Sequence, residues 1–111
     1  MIHPTTIVNA VCGVFHVKPE DLSGPARERT VSMPRQIAAY LIYKKCDLMT
    51  FQNIADMFGR TDHTTARFWI KTVEANIANT SYVARFVDEV EQALESAEQV
   101  QEPEATPEPV T

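Results

Sequence analysis

Glycine is scarce in this chain of 111 residues, with only Gly13, Gly24 and Gly59, and no alternating β-branched run is bounded by hairpin turns. Those absences exclude a hairpin-built sheet and predict an all-helical domain. No apolar run approaches the roughly 18 residues that a membrane span requires. There is no charged-then-apolar leader and no lipidation motif at either end, so no membrane association is expected and a cytoplasmic protein is. Cysteine is nearly absent too. Cys12 and Cys46 lie far apart in apolar helical contexts, which favours buried thiols in a reducing compartment over a disulfide. His3, His16, His63 and the two cysteines form neither a nucleophile-base-orienter pattern nor a metal-ligand spacing, so no catalysis, metal or cofactor is expected. The chain also contains no G-x-x-x-x-G-K loop to cradle phosphates.

Positive charge is missing from one end. No Lys or Arg follows Arg85, whereas eight of the fifteen acids do: Asp88, Glu89, Glu91, Glu95, Glu98, Glu102, Glu104 and Glu108. The formal net charge of −5 therefore conceals a basic body, since residues 1–86 hold ten basic and seven acidic residues, a net of +3. A basic body is compatible with a polyanionic partner. The length suits one small core, assigned to residues 1–97, with a Pro- and Glu-rich tail over 98–111 that buries too little apolar area to order and is expected to be disordered.

The apolar spacing predicts the elements. Pro4 suits a first helical position, with Ile7, Val8, Val11, Val14 and Phe15 behind it. Pro19 begins a short second helix, and residues 23–32 form a polar arm carrying Arg27 and Arg29. Ser32 is placed to cap a third helix from Met33 or Pro34 to about Lys45, with Ile37, Ala38, Leu41 and Ile42 inward. A last helix over 81–97 carries Tyr82, Val83, Phe86, Val87, Val90 and Leu94 on one stripe. Between these, residues 50–58 read as a helix capped by Thr50 and stopped by Gly59. Asp62 then caps a helix whose first turn is His63, Thr64 and Thr65 and whose apolar face is Ala66, Trp69, Val73 and Ile77. Helix, short glycine turn, helix over 50–77 is the helix-turn-helix plan, with a polar tip able to enter a DNA groove. An ordinary cap followed by solvated side chains would look the same at Asp62 alone. Tyr40, Trp69 and Phe86 fall on apolar stripes and are read as core.

The segments MPRQIAAYLIYKKC, TFQNIADMFG, DHTT and KTVE, in this order and spacing, closely resemble the C-terminal DNA-binding domain of the bacterial chromosomal replication initiator DnaA. The resemblance covers about residues 7–94. It implies a helix-turn-helix that reads a box in the major groove of double-stranded DNA while an arginine of the arm enters the minor groove, with binding as a monomer. Transferred by position, Asp62, His63 and Thr64 are base readers, Thr65 meets a phosphate or a nearby base, Arg27 is the minor-groove arginine, and Arg35 with Gln36 contacts the DNA backbone. Thr50, Arg60, Thr61 and Lys71 are further backbone candidates. The chemistry fits: a carboxylate accepts from cytosine N4, a Thr methyl or imidazole edge packs on a thymine methyl, and Arg follows the potential of a narrow minor groove.

The chain departs from the family pattern in three places. Gly59, Arg60 and Thr61 stand where the family has Gly-Gly-Arg; Ala66, Arg67 and Phe68 replace two aliphatics and a His; and the turn before Thr50 is one residue longer. Arg67, four residues after His63 on the same face, is a candidate guanine or phosphate contact. The expected function is a stand-alone, non-ATPase regulator of replication initiation or transcription. The alternative is a protein-interaction module that has kept the fold and lost box reading, engaging a partner through the acidic tail or the last helix.

Overall fold

Proline starts the first two helices, where a missing N–H leaves no intrahelical bond unmade. In the computed structural model, which describes residues 3–24, 29–46, 48–79 and 81–104, α1 spans Pro4–Phe15 and α2 spans Pro19–Ser23. His16, in the left-handed region at φ 59°, closes α1, and the Val17 N–H donates back to the Cys12 carbonyl at 3.2 Å. Asp21 accepts from the Lys18 N–H at 3.2 Å and so fastens the start of α2.

Helix α3, Arg29–Lys45, begins four residues before the expected start at Met33 and takes Pro34 into its interior. Ser32 is therefore a helical residue, and the arm is correspondingly shorter than 23–32. Pro34 removes one ladder bond near the helix start, while its side chain is fully buried and Val31 one turn earlier is buried too. Helices α4, Phe51–Met57, and α5, His63–Asn79, form the tandem pair. Helix α6, Ser81–Glu104, runs seven residues past the expected end at 97. Its Glu- and Gln-rich continuation meets no helix breaker before Pro103. Residues 105–111, the remainder of the expected disordered tail, lie outside the described residues, as does Arg27.

Helix α3 is the hub, packed against α1, α2, α4 and α5, while α6 closes the far side against α1 and α5. Fully buried Ile7, Val11, Leu22, Ile37, Leu41, Ile42, Ile54 and Val90 bring five helices into one core, to which α5 adds Ala66, Trp69, Ile70 and Val73. Phe86 packs on Phe15 with ring centroids 4.8 Å apart. Both cysteines are buried, and among the described residues no helix is long and apolar enough to cross a membrane. Leu41→Ala removes a fully buried side chain from the hub and is expected to cost about 2–5 kcal/mol in urea unfolding.

Candidate nucleic-acid interface

The two helices of the pair are set by local hydrogen bonds. Thr50 Oγ1 accepts from the Asn53 N–H at 3.1 Å, and the Thr50 N–H donates to Asn53 Oδ1 at 3.1 Å, so Asn53 closes a reciprocal cap at the start of α4. At the other end Gly59 adopts φ +73°, and the Arg60 N–H reaches back to the Ala55 carbonyl at 2.8 Å. Asp62 then caps α5, with Oδ1 accepting from the Thr64 N–H at 2.9 Å. That bond is the largest cause of a carboxyl pKa held below its ordinary value. The cap is therefore present above the unfolded carboxyl pKa and is lost only as pH falls through the lowered folded value.

Helix α5 separates its roles along its length. Asp62, His63, Thr64, Arg67, Phe68 and Lys71 are exposed and Thr65 is half-buried, while Ala66, Trp69, Ile70 and Val73 are in the core. The expected readers Asp62, His63, Thr64 and Thr65 thus share one tip, with Arg67 and Lys71 following on the solvent side. His63 Nδ1 lies 3.9 Å from Asp62 Oδ1, and Thr61 is exposed beside them.

Two expected backbone-contacting cations are placed differently. Arg35 is only 3 % exposed and donates from Nε to the Leu22 carbonyl at 2.8 Å and from Nη2 to those of Gly24 at 3.2 Å and Asp21 at 3.5 Å. It satisfies orphan carbonyls at the end of α2, with the guanidinium that was expected on the DNA backbone turned toward the protein. Arg60 is half-buried and donates from Nη1 to the Phe58 carbonyl at 3.0 Å and from Nη2 to the Gly24 carbonyl at 3.1 Å. Both guanidiniums lie over the Trp69 ring, 5.8 and 5.7 Å from its centroid. Burial, then the nearby Arg60 charge, lowers the Arg35 pKa, but an arginine so far above neutrality stays charged.

Gln36 is also apart from the tip. It lines a groove of about 240 Å³ with Val73, Asn76 and Tyr82, and Val73 lies roughly 15 Å along α5 from His63 at 1.5 Å per residue. The Thr50 hydroxyl is engaged by Asn53, donating to Oδ1 at 2.9 Å while accepting in the cap.

A family model described as the bacterial DnaA protein helix-turn-helix matches residues 4–73. The chain belongs to this family. It is 34% identical over 89 residues, 80% of its length, to the chromosomal replication initiator protein DnaA of Bifidobacterium animalis subsp. lactis, and 37% identical over 71 residues, 64% of its length, to that of Thermus thermophilus. The protein of the same name from Chlorobaculum tepidum is 31% identical over 90 residues, 81% of the chain. The chain spans only 15%, 16% and 18% of these three relatives.

In this DnaA-type helix-turn-helix, three residues that sequence reasoning passed over position the tip. Gln52 Nε2 donates to the Thr61 carbonyl at 3.1 Å and to Asp56 Oδ1 at 3.0 Å, tying α4 to the loop before α5. Ser23 Oγ donates to the Met57 carbonyl at 3.5 Å, and Gly24 supplies the carbonyl that both arginines share. A polar residue on the outer face of α4 was the only signal for Gln52; the other two depend on contacts across the fold. A Cβ on Gly59 would stand 2.9 Å from the Ser23 carbonyl oxygen, so α2 and the turn touch through backbone. Gly59→Ala should destabilise by about 1–3 kcal/mol through left-handed strain and that clash. Gly13→Ala, in open space within α1, should instead stabilise by about 0.5–1 kcal/mol; urea midpoints of the two variants test the contrast. Arg35→Lys keeps the charge but loses the fork, and the same assay should show a loss of about 1–3 kcal/mol.

Proposed function

We propose that this domain binds double-stranded DNA at boxes of the replication-initiator type. The tip of α5 enters the major groove, and the segment after Gly24, which carries Arg27, enters the adjacent minor groove. The supporting observation is the division of α5, where one end exposes Asp62, His63 and Thr64 while the next turns are anchored through Ala66, Trp69 and Ile70. A helix held by its middle presents its first turn as a rigid probe.

The roles follow from what each group has left to offer. Asp62 uses Oδ1 in its cap and keeps Oδ2 for a cytosine amino group. His63 and Thr64 present an imidazole edge and a methyl for thymine, and Thr65 reaches a phosphate or a nearby base. Arg67 is exposed for a guanine or a phosphate, while Lys71, Thr61 and the Thr50 end of α4 flank the backbone, with Gln36 further along. Phosphate contacts set the register, and base contacts choose the sequence.

These residues contain no phosphate-cradling loop, so the mode of action proposed for them is occupancy: a box filled by this domain is unavailable to other proteins, which regulates replication initiation or transcription. No partner subunit is required for one tip and one arm to read one box. A protein-interaction module is the second reading, favoured by Leu48, 93 % exposed, near a stacked and partly exposed Tyr43–Phe51 pair with centroids 5.0 Å apart. Its sign would be a protein complex that survives Asp62→Ala combined with Thr64→Ala.

Selection from random duplexes should enrich one box. Thr64→Ala should relax choice at one position by about 1–3 kcal/mol, whereas Lys71→Ala should weaken all sequences alike and reduce the salt slope by about 1. No enrichment at low salt would discard the DNA reading.

A further inference from the structure

The recognition helix carries a large apolar side chain that the core does not use. Phe68 is 62 % exposed, and among the described residues no aromatic ring packs against it, although its neighbour Trp69 is buried. We propose that Phe68 selects DNA sequence by packing on a thymine 5-methyl group in the major groove, next to the base pair that Thr64 contacts. The inference rests on the DNA reading above and adds a residue and a base chemistry to it.

The surroundings of Phe68 point to this occupant. Thr64, Arg67, Phe68 and Lys71 line a single open groove of about 370 Å³, in which two cations accompany one phenyl ring and no acid takes part. A polyanion whose floor offers an apolar group matches that pattern. The major groove of duplex DNA has phosphates along its walls, and thymine is the only base that presents a methyl there. A protein occupant would instead have to bring acids to both sides of an apolar knob.

Position along the helix agrees. Thr64 and Phe68 are four residues apart and share a face, a rise of about 6 Å at 1.5 Å per residue, or under two base-pair steps. Long side chains in helices lean toward the N-terminus, which tilts the Phe68 ring toward the tip. Around the helix, at 100° per residue, Arg67 and Lys71 both fall on one side of Phe68, which places them for the phosphates of one groove wall and Phe68 nearer the other.

The test uses the full chain and the duplex recovered by selection, with each thymine replaced singly by deoxyuridine, which deletes only the methyl. For the wild-type protein, one such replacement should weaken binding about fourfold, the worth of one buried methyl. Phe68→Ala should bind thymine and uracil duplexes equally at that position, and Phe68→Leu should retain part of the difference. Because the side chain is exposed, neither variant disturbs the core. An unchanged thymine-to-uracil ratio in Phe68→Ala at every position would overturn the role of Phe68 while leaving the DNA reading intact. Unaltered DNA binding by Phe68→Ala together with loss of a protein complex would assign the groove to a protein and overturn it likewise. Failure of the wild-type chain to bind any duplex would overturn both.

Discussion

Arg35 and Arg60 converge on one carbonyl oxygen, that of Gly24, and each guanidinium also lies over the Trp69 ring. Two like charges so close repel, and the site holds them because carbonyls of α2 and of the turn accept from both and an indole ring lies against them. Among the described residues no buried side-chain nitrogen or oxygen lacks a hydrogen-bond partner. Each member belongs to a different part of the fold: Gly24 ends α2, Arg35 lies in α3, Arg60 in the turn and Trp69 in α5. The junction adds polar ties to the packing of α5 on α3 and so helps to orient the helix pair, of which α4 alone is only seven residues long and too short to hold a position by itself.

The same junction changes how the charge of the domain is to be counted. The surplus of +3 in residues 1–86 includes two guanidiniums spent on carbonyls. Lys44 and Lys45 face Glu74 at 3.8 Å and Glu91 at 3.5 Å in partly exposed pairs, which contribute little to stability but lower the local positive field. The solvent side of α5 keeps Arg67 and Lys71. Two exposed cations thus stand on the recognition helix, beside the side chains proposed to read bases.

Much of this was legible in the sequence because it is local. Pro4, Pro19, Thr50, Gly59 and Asp62 mark helix boundaries through backbone chemistry that acts within a few residues, and the structure places them there. Apolar periodicity identified the core faces of α3 and α5 for the same reason. The start of α3 was misplaced because Pro34 reads as a first-turn residue, whereas burial of Val31 and Pro34 extends the helix ahead of it. The carbonyl bonds of Arg35 and Arg60 were not legible because a basic residue in sequence carries no sign of a carbonyl 11 or 36 positions away. Phe68 was noted only as a departure from a pattern; its exposure required the fold.

Gly24 caps α2 just ahead of the arm and its carbonyl is held by both arginines, so the junction serves as a mooring. In the sequence Arg27 stands three positions after Gly24 and two before Arg29, where α3 starts, a short leash between two helices. Under the proposed reading, once the α5 tip is seated, the local concentration of the arm at the neighbouring groove is set by the leash and not by the amount of protein in solution. Engagement of the second groove then becomes part of the first binding event, and a box is distinguished from a partial box by whether both grooves lie within one short tether.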